Sequence, residues 1–440
     1  YFLFFVIFFN FALIICKNFE IMGTLLIKQV TLNGEKKDIY IVDNIISKIA
    51  DKVDVKADET IPGDNMTAIP GLYNMHTHSA MTLMRGCLED APLFEWLDEV
   101  WRLEKHIDPE AIYWGTKLAC IEMIKCGVTC FLDLYWFIDT AVKAVEETGM
   151  RANLSYTILG GGDAEKEARQ VRECQDIYEK SKSWSDRVKF SVGIHAGYTV
   201  SEETMLWATN FAVDHDLLIH THLSETEKEN KDSVELYGVS PTKRFKRLGI
   251  LSDRVIAAHG VWLDEEDIEI LGNRKVTIVH NINSNLKLSS GYKFKYAELK
   301  KAGANVVFGT DGTASSNNLD ILESMKTSAL MQKAWRKDPG AMPLGEIMDM
   351  ATKDSAKALR LNSGEIAEGK LADIVLINTK SAAFTPNYNF LANLIYSANS
   401  SCVDTVICDG KVIMRNRVIP GEDIVLEKAA EVAAKLAKNL

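Results

Sequence analysis

Short apolar runs that stop on a histidine or an aspartate recur along the chain. Ala68 to Tyr73 leads into His76-Thr77-His78, Phe190 to Ile194 stops at His195, and Leu217 to Ile219 stops at His220-Thr221-His222. Val255 to Ala258 stops at His259, Val276 to Val279 at His280, and Val306 to Phe308 leads through Gly309 and Thr310 to Asp311. A parallel strand buried on both faces reads as such a continuous run, without the alternation of a half-exposed strand. Eight strands are predicted on this basis, at Gly71 to His78, Gly127 to Leu134, Arg151 to Thr157, Val188 to His195, Leu217 to His222, Arg254 to His259, Lys275 to His280 and Asn305 to Asp311. Helical stretches such as Pro109 to Lys125, Asp139 to Thr148, Ser201 to Asp214 and Leu319 to Lys333 fall between them. Most gaps hold the dozen or more residues that a parallel crossover needs. The order predicts an α/β chain with a (β/α)8 TIM barrel, in which chemistry collects at the C-terminal ends of the strands.

The pattern changes at both ends. Thr24 to Val30, Ile39 to Val42, Ile45 to Ile49 and Met66 to Ile69 read as short strands, with Asp43-Asn44 placed for a tight turn. Ala372 to Ile377, Val403 to Cys408 and Lys411 to Met414 read the same way, the last two joined by Asp409-Gly410. Each end alone has too few strands to be stable. The expectation is one small β-sandwich domain built from both chain ends, 22–70 and 366–440, beside a barrel over 71–365, with Glu427 to Leu440 as a closing amphipathic helix. Residues 1–21 stand apart. Tyr1 to Cys16 is almost wholly apolar, yet it has no basic n-region and no small-residue cleavage site and is shorter than the roughly 20 residues of a membrane span. Met22 is read as the start, and 1–21 as a non-native or signal-like extension.

Composition narrows the class. A chain of 440 residues with 47% hydrophobic content exceeds the roughly 250 residues of a barrel alone, which leaves room for a second module. The net charge of −11 argues against a nucleic-acid partner, because phosphate binding wants clustered Lys and Arg. The 8 cysteines are scattered without a C-x-x-C pair and read as reduced thiols of a cytoplasmic protein with no membrane partner.

Candidate chemistry begins at His76-Thr77-His78. Residues two apart on a strand share a face, so both imidazoles can reach one metal from the barrel mouth. His220-Thr221-His222 repeats the spacing, with His220 expected one layer deeper, and Glu225 follows three residues later.

The segments IPGLYNMHTH, IHTHLSET, AAHG, HNINSNLKLSSG and GTDGTASSNNLD resemble, in order, the metal and active-site motifs of the amidohydrolase superfamily. Within it they are most similar to the 5′-methylthioadenosine/S-adenosylhomocysteine deaminase family, over about Thr24 to Leu440. The resemblance implies one zinc ion per subunit on His76, His78, His222 and Asp311, with iron or manganese able to substitute. It also implies Glu225, His259 and Asp311 as the catalytic acid and base groups, and a homo-oligomer. His195, and no lysine, ends the fourth strand, so one metal is expected where binuclear relatives carry a carbamylated bridge. Three nitrogens and a carboxylate suit zinc with an open position for water.

The implied activity is hydrolytic deamination of a small-molecule purine nucleoside: adenosine, 5′-methylthioadenosine or S-adenosylhomocysteine. Trp96 and Glu104 match the family's substrate loop, although the segment is one residue shorter than usual and lacks a proline before the glutamate. His195 matches a nucleoside contact, Glu225 would reach the ring, and His280 and Ser284 are further expected substrate contacts. Tyr156 stands where some members place an arginine. The alternative is another amidohydrolase acting on guanine, an oxidised purine, a pterin or a chlorinated triazine.

Overall fold

The computed structural model describes residues 23–87, 89–91 and 93–439. The expected extension over 1–21 lies outside them. The chain begins with β1 (Thr24–Leu32), β2 (Glu35–Val42) and β3 (Ile45–Ala50), antiparallel neighbours in that order. Two residues, Asp43 and Asn44, connect β2 to β3, and Asp43 takes a φ of 55°. A short β4 (Glu59–Pro62) runs parallel to β1, as does β5 (Met66–Pro70). β4 is the one strand of this region that the apolar pattern does not predict, because ETIP buries only Ile61.

Eight strands then form a second sheet in sequence order: β6 (Leu72–Thr77), β7 (Val128–Tyr135), β8 (Arg151–Ile158), β9 (Val188–Ala196), β10 (Ile219–Leu223), β11 (Val255–His259), β12 (Thr277–His280) and β13 (Asn305–Phe308). Every neighbouring pair is parallel. Nearly all their residues are buried, as continuous apolar runs require. The last strand returns to the first: the N–H groups of Thr310 and Asp311 donate to the carbonyl of His76 at 3.2 and 3.0 Å. Asn74 strengthens the seam, its Nδ2 donating to Thr310 Oγ1 at 2.7 Å and its Oδ1 accepting from Thr310 N at 3.1 Å. The helix Pro109–Lys125 starts on the N-cap Asp108, whose side chain accepts from Ala111 N, with Pro109 at the first position.

The chain finally returns to the first sheet. β14 (Ile374–Asn378) pairs antiparallel with β5, β15 (Val403–Cys408) with β14, and β16 (Lys411–Met414) with β15. Asp409 and Gly410, with φ of 52° and 77°, make the hairpin turn. Leu25, Ile27, Ile39 and Ile46 from one end and Ile374, Leu376 and Ile407 from the other close a common apolar cluster, separate from the barrel's core. The closing helix spans Glu422–Leu436, five residues earlier at its start than the apolar pattern predicts.

Sheet and barrel are joined by buried charge. Arg151, at the start of β8, places Nη2 2.8 Å from Asp409 Oδ1 and Nε 3.4 Å from Asp373 Oδ2. Ser363 donates to Asp373 Oδ2 at 2.7 Å, and the Asp409 N–H to Asp373 Oδ1 at 2.7 Å. Gly71 N donates to the Asp373 carbonyl where the chain enters the barrel, and a Cβ there would lie 2.1 Å from Thr129 Oγ1, so this crossing admits only glycine. Among the described residues no helix is long and apolar enough to cross a membrane.

Candidate active site

The barrel's C-terminal rim gathers the strand-end residues. His76 lies in β6, His78 just beyond it, and His222 in β10; Asp311 follows β13 after Gly309 and Thr310. Asp311 and His259 both have positive φ, 64° and 77°, an uncommon conformation outside glycine. Asp311 Oδ1 lies 3.4 Å from His76 Nε2 and 3.3 Å from His78 Nε2. The opposite ring nitrogens are occupied. His78 Nδ1 donates to the Leu134 carbonyl at 2.7 Å and His222 Nδ1 to the His195 carbonyl at 2.7 Å, so Nε2 of each is a lone pair whenever the ring is neutral. His76 Nδ1 meets His220 Nε2 at 2.8 Å.

The donor set fits a metal. His76, His78 and Asp311, and His76, His222 and His259, form two overlapping groups whose ligand atoms lie within 4.8 Å of one another. His76 Nε2 is buried and has no hydrogen-bond partner, an atom that a cation would satisfy. Imidazole nitrogens with one carboxylate suit zinc and its first-row neighbours. Burial pulls the His76 and His195 imidazoles down to about 4 and about 3, and His222 well below its ordinary value, so these rings are neutral at pH 7. Burial also pulls His78 down, but the Asp311 carboxylate outweighs it and holds that ring at about 9. For Asp311, burial raises the pKa, while His76 and His78 outweigh it and keep the carboxyl well below the usual range.

Glu225 and His259 stand beside this group. Glu225 Oε2 is 3.7 Å from His259 Nε2, and burial, then the Asp311 charge, push the Glu225 carboxyl up to about 8. The buried Glu229 side chain accepts the backbone N–H of Glu225 at 2.7 Å and of Ser224 at 3.0 Å, while its own N–H caps on Thr226 at the start of the helix Glu227–Tyr237. His259 Nδ1 lies 3.0 Å from Asn285 Nδ2.

His78, His222, Glu225, His259 and Asp311 face one cavity of about 650 Å³, a volume that includes the open solvent at its mouth; His76 does not line it. Trp96, Leu97, Val100, Trp101 and Trp136 supply its apolar wall, and Glu104, His195, Glu225, His259 and Asp311 its polar groups. Trp96 and Glu104 come from the helix Leu93–Glu104. Glu104 Oε1 accepts from the Tyr135 hydroxyl at 2.7 Å, and His195 Nδ1 lies 2.8 Å from Thr199 Oγ1.

Two expected substrate contacts are placed elsewhere. His280 is buried against Phe294, ring centroids 3.9 Å apart, and Ser284 donates to Asp311 Oδ2 at 2.6 Å; neither lines the cavity. The cause is the helix Ile282–Lys287, which begins right after β12 and turns Ser284 onto the carboxylate. Sequence reading missed Tyr135, Trp136, Glu229, Asn285 and Ser315, the last donating to Asp311 Oδ2 at 2.9 Å. Tyr135 and Trp136 follow the predicted second strand directly, and that position is the signal that marks them.

The chain matches the amidohydrolase family over residues 67–413. It is 44% identical over 386 residues to a 5′-deoxyadenosine deaminase of Methanoregula boonei, covering 87% of each chain. It is 45% identical over 381 residues to a 5-methylthioadenosine/S-adenosylhomocysteine deaminase of Thermococcus sibiricus, covering 86% of this chain and 90% of that one. Its fold is similar to that of a zinc-bound adenosine deaminase from Xanthomonas campestris, with a TM-score of 0.90 at 30% identity over 94% of this chain and 98% of that one. An atrazine chlorohydrolase of Arthrobacter aurescens complexed with zinc is also similar, with a TM-score of 0.84 at 25% identity over 94% and 99%. Because the family match takes in all eight barrel strands and the rim side chains they carry, the chain belongs to the amidohydrolase family.

Proposed function

We propose that this chain is a zinc-dependent hydrolytic deaminase of adenosine derivatives, replacing the 6-amino group by an oxo group with release of ammonia. The observation that carries this reading is the meeting of Glu225 and His259 with His78 and Asp311 in one cavity that Trp96 and Glu104 also line, with His76 grouped against His78 and Asp311. The names of relatives at 44% and 45% identity support the same substrate class.

His76, His78, His222 and Asp311 would hold one metal ion. When bound, zinc supplies a water nucleophile at neutral pH by lowering its pKa from about 15.7 toward about 7. Glu225, kept protonated by burial, would give its proton to the ring nitrogen beside the amino-bearing carbon, so that negative charge does not build on the purine. Such general acid help is worth roughly 10² to 10⁴ in rate. His259 Nε2 faces Glu225 and would orient the attacking water. Of the water's two protons, one restores Glu225 and the other, relayed by Asp311, leaves on ammonia. Trp96 would cover the base, His195 would touch the nucleoside, and Glu104 would accept ribose hydroxyls.

The test is ammonia release by zinc-loaded protein from adenosine, 5′-deoxyadenosine, 5′-methylthioadenosine, S-adenosylhomocysteine, adenine and guanine, with Glu225→Gln as control. Turnover of adenosine nucleosides that collapses in the control is the expected result. Activity confined to a free base would move the chain to another amidohydrolase reaction and remove the role given to Glu104.

A further inference from the structure

A chain of side-chain hydrogen bonds runs from His76 into the barrel interior. His76 Nδ1 lies 2.8 Å from His220 Nε2, and His220 Nδ1 lies 3.2 Å from Ser155 Oγ. Ser155 Oγ lies 2.7 Å from Ser191 Oγ, which donates to Asn153 Oδ1 at 2.6 Å. All four residues beyond His76 are buried: His220, Ser155 and Ser191 at 0% exposure and Asn153 at 5%. They come from β8, β9 and β10. Asn153 also lines a surface cleft with Leu359 and Arg360, apart from the cavity that holds Glu225.

The polarity of this chain follows from its end. A carboxamide oxygen only accepts, so Ser191 donates to Asn153 and keeps lone pairs for Ser155. Ser155, its hydrogen given to Ser191, can only accept from His220, which puts the ring hydrogen on Nδ1. A neutral His220 then offers a lone pair at Nε2, and His76 must donate to it from Nδ1. His76 is left with its own lone pair on Nε2, the atom 3.4 Å from Asp311 Oδ1.

We infer that Asn153, Ser191, Ser155 and His220 are positioning residues, a polarised relay that sets the His76 tautomer and so tunes metal affinity from the barrel interior. His78 and His222 are set by backbone carbonyls, those of Leu134 and His195, which no substitution removes. Of these three rings, His76 is the one oriented by side chains, so this is the ligand whose basicity mutation can adjust. The inference rests on the reading of His76 as a metal ligand.

Two measurements test it. In metal-free protein labelled with 15N in its imidazoles, with His220→Gln used to assign the ring signals, His220 and His76 are both expected as Nδ1–H tautomers. The reversed polarity, starting from a flipped Asn153 amide, places the hydrogen of both rings on Nε2, and finding it would overturn the relay. The second measurement is zinc affinity by chelator competition. Ser155→Ala, which acts on His76 only through His220, is expected to weaken zinc by about 10-fold, the low end of the range for direct partners of metal ligands, while Ser155→Thr keeps the hydroxyl and the affinity. Parent-like affinity in Ser155→Ala would overturn the relay. If the parent binds no zinc, the metal reading falls, while the 15N tautomers still decide the relay.

Discussion

The Ser284 hydroxyl donates to Oδ2 of Asp311 at 2.6 Å, while Oδ1 of the same carboxylate stands 3.3 Å from His78 Nε2. Ser315 adds a second hydroxyl to Oδ2 at 2.9 Å, and the Gly312 N–H donates to Oδ1 at 2.8 Å. Protein groups therefore orient the carboxylate before any metal arrives. Ser284→Ala is expected to lower zinc affinity by about 10-fold, and the Ser284→Ala/Ser315→Ala double variant by up to about 100-fold, the range for partners that orient metal ligands. Zinc retained after dialysis against a chelator measures this. Equal retention in the double variant and the parent would refute the account.

Glu225→Gln removes the proposed acid and leaves the four proposed ligands in place. The expected result is a fall in kcat of about 10² to 10⁴ with zinc content unchanged. A variant that lost both zinc and activity would instead make Glu225 a part of the metal site.

Glu104 carries a pH signature. Burial pushes its carboxyl up from 4.5 to about 7, against the Tyr135 hydroxyl bond, which lowers it. A raised carboxyl holds a proton in the folded state that the unfolded chain releases. Below the unfolded value both states are protonated and stability is full; as pH rises from 4.5 toward about 7 the unfolded state binds fewer protons and stability falls. In metal-free protein, Glu104→Gln should flatten that decline in Tm. A Tm–pH curve that keeps its slope in the variant would sink this assignment.

Arg151 faces two buried carboxylates, Asp373 and Asp409. Removing one partner of a buried ion pair leaves charge uncompensated, at a cost of about 3 to 5 kcal/mol. Arg151→Met is expected to lose that much in denaturant unfolding while folded molecules keep the parent's KM. A loss near zero would mean that the carboxylates take up protons or other partners at little cost.

Much of the fold was legible because its signals are local. The runs ending at His195, His222, His259 and His280 are strands in the structure, and Pro109–Lys125 is a helix over the same residues as predicted. Where the local signal is weak, the reading slipped. Glu59–Pro62 buries one side chain and owes its strand state to pairing with β1, and the closing helix begins at Glu422 because Gly421, with φ of 78°, lets the chain turn there.

Strand order, the histidines at the strand ends and the resemblance they carry were set by the sequence itself, since a buried parallel strand must be apolar and polar chemistry can stand only where it ends. Barrel closure alone decided which of those residues meet. It brought Asp311 onto His76 across 235 positions of chain, set Tyr135 against Glu104, and buried His280 on Phe294. The reason is that periodicity reports which face a residue takes on its own strand, while the distance between two strands' side chains depends on curvature and register summed around the whole ring.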